Sequence, residues 1–259
     1  MEMRIFVLGA ADPEMGRIEA VLRNFRETVL YAAVNGTRVY PGNAYQADGV
    51  IDAAGAVVET PSAAETVTVE CALTGLVPAK AVDHHRPGDA GYGLSPARFW
   101  EGSSLGQIFA VLGLEPTAED LYAAAADHCL HAAYRGDCPE VNPEGLMVWR
   151  AESRAAFQGR SVASVLADVA KARKLLREWS QAGDIPHFAT TVAELPEAAA
   201  REGLPFTAEM TDRNGRRKVV LQGADPMTIQ AWMATGGDMG LVDVYGDLIR
   251  GFAGGYLPA

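Results

Sequence analysis

A short apolar run that ends in an acid and two histidines is the feature that most constrains this chain. Residues 76–82 are mostly apolar and predict a short buried strand, and Asp83, His84 and His85 follow it directly. Open α/β sheets place their ligands beyond the carboxyl ends of their strands, and divalent transition metals accept carboxylate and imidazole ligands. The tripeptide therefore predicts a site at a sheet edge. The alternative is a polar turn with solvated histidines.

The composition indicates a globular protein that carries an excess of acidic groups. The 259 residues suffice for one large or two modest domains, and 49% hydrophobic with 21% charged residues excludes a disordered chain. The net charge of −11 weighs against a long nucleic-acid duplex as partner, because phosphate neutralisation needs a basic surface. A small phosphorylated substrate, held by metal ions and a few arginines, remains compatible with this charge. The sequence leaves a homodimer open.

Targeting signals and cysteine usage predict a cytoplasmic protein with no membrane partner. No apolar segment approaches the ~18 residues of a membrane span, and the N-terminal run lacks the features of a secretion signal. Cys71, Cys129 and Cys138 are too few for a disulfide framework and predict reduced thiols. A zinc site built from Cys129, His131 and Cys138 is a competing interpretation, but its spacing is not a recurrent one and no fourth ligand is evident.

Strands alternate with helices through the first half of the chain. Residues 4–8 predict a strand, after which Asp12 suits an N-cap, Pro13 the first helical position and Glu14 the first turn. Further helices are predicted from residue 103 and from residues 117 to about 134. Additional strands are predicted at residues 49–52, 67–70 and 76–82. This alternation predicts an α/β fold with a mostly parallel sheet flanked by helices.

The second half of the chain shows a different pattern. A long amphipathic helix over residues 162–179 is followed by residues 183–186, the best candidate for a domain boundary. Beyond it, Asn214-Gly215 predicts a β-hairpin turn between strands at residues 206–211 and 217–222. We therefore expect residues 1–182 to form a metal-binding domain and residues 184–259 to form a smaller α/β substrate-binding domain.

Three acidic residues lie in or beside the predicted elements. Glu14 opens the first helix, Glu70 ends the strand at 67–70, and Asp127 lies in the helix that starts at residue 117, with His131 one turn on. Carboxylates gathered with imidazoles would form an oxygen and nitrogen metal site that generates hydroxide for attack on phosphorus. Helix-start chemistry explains Glu14 equally well, and Asp127 with His131 could be an exposed helix pair.

The order of these motifs resembles that of the DHH phosphoesterase superfamily. Residues 82–86, Val-Asp-His-His-Arg, look like its third motif, and residues 11–16, Ala-Asp-Pro-Glu-Met-Gly, occupy the place of its first motif. Residues 69–71, Val-Glu-Cys, look like the second motif with glutamate in place of aspartate. Asp127 falls where the aspartate of the fourth motif is expected. Residues 250–256 resemble the glycine-rich substrate loop of the DHH-associated C-terminal domain.

This resemblance implies hydrolysis of a phosphoester or phosphoanhydride bond in a small nucleotide-like substrate, with a divalent metal as cofactor. Mn²⁺ is the favoured metal, as one or two ions. The implied catalytic residues are His85, which contacts phosphate or protonates the leaving group, and Asp83, which orients an imidazole. The implied substrate-binding residues are Arg250, Gly254 and Gly255. The implied metal ligands are Glu14, Glu70, His84 and Asp127, with Glu70 bridging if two ions bind.

The first motif departs from the family pattern, which carries a histidine and two aspartates as His-x-x-x-Asp-x-Asp. In one register these positions hold Ala10, Glu14 and Gly16. In the other, Asp12 and Glu14 replace the aspartates and Leu8 replaces the histidine. A ligand is absent in either register. The alternative function is therefore a non-catalytic member of the fold that binds a nucleotide or metabolite.

Overall fold

The computed structural model describes residues 4–180, 184–212 and 215–258. The chain divides into two compact units. Unit 1 comprises residues 1–94 and 98–128, and unit 2 comprises residues 95–97 and 129–259. Each unit combines helices with a β-sheet, so the predicted α/β class is confirmed. Among the described residues, no helix is long and apolar enough to cross a membrane.

A mixed seven-stranded sheet forms the centre of unit 1. Its strands are β1 (Ile5–Leu8), β2 (Thr28–Val34), β3 (Thr37–Arg38), β4 (Gly49–Ile51), β5 (Val57–Val58), β6 (Thr66–Val69) and β7 (Lys80–Val82). The strand order is β5-β4-β2-β1-β6-β7, and β3 pairs with β2. Strands β2, β1, β6 and β7 are parallel, whereas β3, β4 and β5 add antiparallel pairs. Asn35 and Gly36, both with positive φ, form the tight turn that makes β3 antiparallel to β2.

Four α-helices complete the described part of unit 1: α1 (Pro13–Asn24), α2 (Phe99–Gly102), α3 (Ser104–Leu112) and α4 (Ala118–His128). Helix α1 begins as the sequence predicts, since the Asp12 carboxylate accepts a hydrogen bond from the Met15 N–H at 2.7 Å. The prediction of a single helix from residue 117 to about 134 is wrong. The helical conformation is interrupted at Cys129, whose φ of −155° and ψ of 52° are not helical.

Unit 2 contains a five-stranded sheet and five helices among the described residues. Its helices are α5 (Leu130–Arg135), α6 (Pro143–Gln158), α7 (Val162–Ser180), α8 (Leu195–Glu202) and α9 (Pro226–Thr235). Its strands are β8 (His187–Phe188), β9 (Phe206–Thr211), β10 (Arg217–Gln222), β11 (Val242–Asp247) and β12 (Phe252–Tyr256), in the order β11-β12-β10-β9-β8. The predicted hairpin is present as the antiparallel pair β9–β10. Asn214 of its turn lies outside the described residues.

The division between the units differs from the boundary expected at residues 182 to 184. Helix α7 was expected to belong with the first half of the chain. Instead its residues Ala172 and Leu176 share one hydrophobic core with Leu195 of α8 and Phe206 of β9. Apolar periodicity predicted the helix correctly, but it does not specify which sheet the apolar stripe covers. That the two units act as metal-binding and substrate-binding domains stays a prediction.

Candidate metal centre

The candidate site lies at the carboxyl ends of three parallel strands of unit 1. Leu8, Val69 and Val82 are aligned across β1, β6 and β7, so these strands end at the same edge of the sheet. The segments that follow them carry the acidic and histidine residues that the sequence singled out. Parallel strands bring such segments together because their carboxyl ends share one edge.

Close packing of two strand ends holds Glu70 in place. The Glu70 N–H donates to the Val82 carbonyl at 2.9 Å, and Glu70 itself has a positive φ of 51°. A Cβ at Gly9 would lie only 2.4 Å from the Glu70 carbonyl oxygen, so residue 9 must be glycine. A left-handed conformation costs a glutamate of order 1–3 kcal/mol and is typical of functional positions.

Four side chains converge at this edge. One ligand atom from each of them lies within 4.8 Å of the others. The His84 Nε2 atom is 3.0 Å from Asp127 Oδ2 and 3.7 Å from Glu70 Oε1. A second, overlapping group comprises Glu70, His84 and His85. The structure therefore brings together the complete predicted set of metal ligands: Glu14, Glu70, His84 and Asp127.

Ionising all the carboxylates of this site at once is energetically unfavourable. Burial raises the pKa of Glu70 to about 8, against the effect of His85, and Asp127 raises it further. Burial, together with the charges of Asp127 and Glu70, also holds the pKa of Glu14 well above its ordinary value. Burial and the Asp127 charge raise the pKa of Asp12 to about 6. Protons or a cation are therefore needed to neutralise the cluster.

The donor set fits a divalent cation. Glu14 Oε1 accepts a hydrogen bond from the Leu105 N–H at 3.0 Å, at the start of α3. In contrast, Glu14 Oε2 and Glu70 Oε1 are buried and accept no hydrogen bond from any described residue. Buried carboxylate oxygens without a donor are costly unless a cation or proton compensates them. Three carboxylates and one imidazole match the ligand preferences of Mn²⁺ and Zn²⁺.

A hydrogen-bond chain within unit 1 fixes the tautomer of His84. The His128 Nε2 atom lies 3.1 Å from the Leu94 carbonyl oxygen, which can only accept, so His128 carries its proton on Nε2. The Nδ1 atom of a neutral His128 then accepts from His84 Nδ1 at 3.3 Å. His84 Nε2 is left with its lone pair towards the carboxylates, which is the form that binds a metal.

His128 contacts His84 at the candidate site, and the sequence analysis did not single it out. It is 1% exposed, and its imidazole fills the space beside Gly102, where a Cβ would lie 2.7 Å from His128 Cε1. The available signal was its position directly after Asp127 in an alanine-rich helix, where a buried histidine needs a polar partner. That partner is His84, from a distant part of the sequence.

Asp83 contacts His85. Asp83 Oδ1 accepts hydrogen bonds from the His84 and His85 N–H groups at 2.7 and 3.1 Å and lies 2.9 Å from His85 Nδ1. The other oxygen, Oδ2, accepts from the Tyr45 hydroxyl at 2.9 Å. Burial opposes ionisation of the Asp83 carboxyl group, but the hydrogen bonds from His85 keep the pKa of Asp83 below its ordinary value. The imidazole that Asp83 orients is thus that of His85.

Arg38 brings a positive charge to the same sheet edge. Its Nε–H donates to the Gly9 carbonyl at 3.2 Å, and its guanidinium stacks over the Tyr31 ring at 4.2 Å. Burial lowers the pKa of Arg38, opposed by charges that include Asp12. The sequence analysis missed Arg38 because a two-residue strand such as β3 has no detectable periodicity.

Two of the three predicted substrate-binding residues in unit 2 are not in a loop. Gly254 and Gly255 lie inside β12, which pairs with β10 and β11. A Cβ at Gly254 would lie 2.5 Å from the Tyr245 ring, and one at Gly255 would lie 3.0 Å from Leu241. The prediction of a glycine-rich loop is therefore wrong. The two glycines lie within a strand, where the absence of a side chain leaves room for Tyr245 and Leu241 to pack against the sheet.

Arg250 lines a cavity of about 470 Å³ within unit 2, together with His131, Arg135 and Ile249. Its role in substrate binding stays a prediction. His131 is separated from Asp127 by the interruption at Cys129, so the two do not form the expected pair within one helix. Among the described residues, the metal-ligating groups do not include Cys129, His131 and Cys138, and the alternative zinc site is not formed.

The fold and site together define an α/β protein with a candidate divalent-metal centre of three carboxylates and one imidazole. No protein-family model and no curated protein matches the chain. Among solved structures, the pGpG-specific phosphodiesterase PggH from Vibrio cholerae aligns with 98% of this chain and 93% of its own. The identity is 9% and the TM-score is 0.39. Similarity at this level establishes neither a shared family nor an activity.

Proposed function

We propose that this chain hydrolyses a phosphoester or phosphoanhydride bond in a small nucleotide-like substrate, with a divalent cation at the centre in unit 1. The observation that carries the proposal is the convergence of Glu14, Glu70, His84 and Asp127 at one sheet edge. Glu14 Oε2 and Glu70 Oε1 are buried and accept no hydrogen bond from a described residue, and a cation at this edge would compensate both oxygens.

The four converging residues would hold one or two ions, with Mn²⁺ favoured and Glu70 shared if two are bound. Glu70 and His84 belong to both overlapping ligand groups, which supports a shared position for Glu70. When bound, such a cation lowers the pKa of a coordinated water and provides hydroxide for attack on phosphorus. His128 keeps His84 in the tautomer that this role requires.

His85 is the proposed proton donor to the leaving group. Its Nδ1 lies 2.9 Å from the Asp83 carboxylate, which orients the ring, and the proton would pass from this imidazole to a substrate oxygen. The His85 side chain is 38% exposed, so a substrate can reach it. The Asp83 carboxylate fixes the orientation of the His85 imidazole through the contact with Nδ1. General acid catalysis of this kind contributes typically about 10²–10⁴-fold to rate.

One arginine in each unit is proposed as a phosphate-binding residue, each considered within its own unit. Arg38 places a guanidinium beside Gly9 at the edge of the sheet in unit 1. Arg250 of unit 2 remains the proposed substrate-binding residue of that unit, on the wall of its cavity. A guanidinium can bind phosphate oxygens in bidentate fashion. Local cations of this kind are required because the chain as a whole carries a net charge of −11.

Metal analysis and hydrolysis of a generic phosphodiester test the proposal. Protein stripped with a chelator and reloaded with Mn²⁺ is expected to hydrolyse bis(p-nitrophenyl) phosphate. Glu70→Gln should abolish both Mn²⁺ retention and hydrolysis. The exposed Glu59 offers a matched control, and Glu59→Gln should change neither. Equal hydrolysis by both variants, or no retention of a divalent cation by the unaltered protein, would contradict the proposal.

A non-catalytic nucleotide or metabolite binder is the second candidate. It is favoured by the first motif, where the resemblance to the DHH family implies a histidine but the chain has buried Ala10 in one register and buried Leu8 in the other. An apolar core residue cannot replace an imidazole ligand. Mn²⁺ retention without hydrolysis, together with a rise in Tm on addition of nucleotides, would support this function over the first.

A further inference from the structure

Two cysteines of unit 2 form a buried pair that the proposed hydrolysis does not use. The Sγ atoms of Cys129 and Cys138 are 3.0 Å apart, and their residues are 6% and 2% exposed. Cys129 precedes helix α5, and Cys138 lies in the segment between α5 and α6. The separation is about 1 Å longer than a disulfide bond of ~2.05 Å. A small movement would therefore suffice to join the sulfurs.

The third cysteine has a different environment. Cys71 belongs to unit 1, whereas Cys129 and Cys138 belong to unit 2. The Cys71 thiol is 5% exposed and donates a hydrogen bond to the Val7 carbonyl at 3.4 Å. Cys71 therefore provides an internal control of similar burial that lacks a neighbouring sulfur.

The cavity of unit 2 gives small molecules a route to the cysteine pair. Cys129 lines this cavity of about 470 Å³ together with His131 and Arg135. Susceptibility of a cysteine to oxidation depends on access as well as on the reactivity of the sulfur. An oxidant the size of a few water molecules can enter such a volume, and Cys71 does not line this cavity.

We propose that Cys129 and Cys138 are a site of reversible oxidation by hydrogen peroxide. One sulfur attacks a peroxide oxygen, the O–O bond breaks, and a water leaves as a sulfenic acid forms. The second sulfur then attacks the sulfenic sulfur, the S–S bond forms, and the hydroxyl leaves as a second water. The two thiols lose two protons and two electrons, and the peroxide takes up both and is reduced to two waters.

The disulfide would connect the beginning of α5 to the segment that follows it. Helix α5 carries His131 and Arg135, which line the cavity. Cross-linking at both ends of this six-residue helix restricts the conformations that the cavity wall can adopt. The oxidation state of the pair thereby alters the unit 2 cavity, and this inference holds whether or not the centre in unit 1 hydrolyses phosphate.

Thiol counting on the full-length protein tests the inference. After exposure to hydrogen peroxide, quenching and denaturation, the three thiols of the reduced protein are expected to fall to one. Peptide mapping should find Cys129 joined to Cys138 within one chain, and dithiothreitol should restore all three thiols. The Cys71→Ala variant should fall from two thiols to none, and Cys138→Ser should form no intramolecular disulfide.

The inference would be overturned if Cys129 and Cys138 both remained thiols under conditions in which hydrogen peroxide oxidises dithiothreitol. A linkage between chains, or oxidation of Cys71 before the pair, would also overturn it. If Cys71→Ala fails to fold, peptide mapping of the unaltered protein still decides, because it identifies the joined residues directly. A gain in resistance of the α5 segment to proteolysis after oxidation would further support the cross-link.

Discussion

Replacing Glu70 with glutamine is expected to stabilise the metal-free protein while it removes the affinity for a divalent cation. Glu70 is 8% exposed, and its Oε1 atom makes no hydrogen bond with a described residue. Glutamine has nearly the shape of the protonated side chain but cannot ionise. The substitution therefore removes an unfavourable buried charge without leaving a cavity.

The magnitude follows from the pKa of Glu70, which burial raises from 4.5 to about 8. The pKa of Glu70 is higher in the folded protein than in the unfolded chain. The free energy of unfolding of the unaltered protein is therefore at its full value below pH 4.5, where Glu70 is neutral, and falls as the pH rises to about 8. Each tenfold change in proton concentration between these values is worth about 1.4 kcal/mol. The loss amounts to roughly 3 kcal/mol at about pH 7 and roughly 5 kcal/mol above about pH 8.

Urea unfolding of chelator-treated protein measures this effect. The free energy of unfolding of Glu70→Gln should match that of the unaltered protein near pH 4.5 and exceed it increasingly up to about pH 8. Added Mn²⁺ should stabilise the unaltered protein and not the variant. The exposed control Glu59→Gln should follow the unaltered protein throughout. A variant that is less stable than the metal-free parent at about pH 8 would refute the reasoning.

Four further outcomes are expected. His128→Phe should weaken Mn²⁺ binding by about 10- to 100-fold in calorimetric titration, because His84 loses its orienting partner, and equal affinity would contradict this. His85→Gln should lower kcat by about 10²–10⁴-fold at unchanged Mn²⁺ content. Loss of Mn²⁺ from this variant would indicate instead that His85 is a metal ligand. Mn²⁺ titration of the unaltered protein should reveal one tight site, since an apolar residue, Ala10 or Leu8, stands where the resemblance implies an imidazole ligand, and two tight sites would refute this. Gly254→Val should destabilise the protein by about 1–3 kcal/mol in urea, because its Cβ would meet Tyr245, and unchanged stability would contradict this.

The sequence predicted the local features that build the centre. Strand ends, the N-cap at Asp12 and the acids after parallel strands follow from chemistry within a few residues. Because parallel strands end at one edge, Glu14, Glu70 and His84, which follow three such strands, could be expected to meet without knowledge of the remaining fold. Asp127 lies in α4 instead, so its position 3.0 Å from His84 depends on how that helix packs and does not follow from the strand-end rule.

The features that the sequence did not predict depend on contacts between distant segments. The interruption at Cys129 separates α4 from α5, although apolar periodicity continues through it. Gly254 and Gly255 have the composition of a loop, but Tyr245 and Leu241 pack where their side chains would be. Propensity describes a segment in isolation, and tertiary packing overrides it at such positions.

The arrangement around Glu70 argues that the centre is retained for binding. Its left-handed backbone, the obligatory glycine at position 9 and three mutually repelling carboxylates all reduce the stability of the metal-free chain. None of these features is needed to close the sheet, because an apolar residue in extended conformation could end β6 at lower cost. A bound cation would offset the repulsion and satisfy the buried oxygens at the same time. The local instability is thus best explained as the consequence of preorganising ligands for an ion.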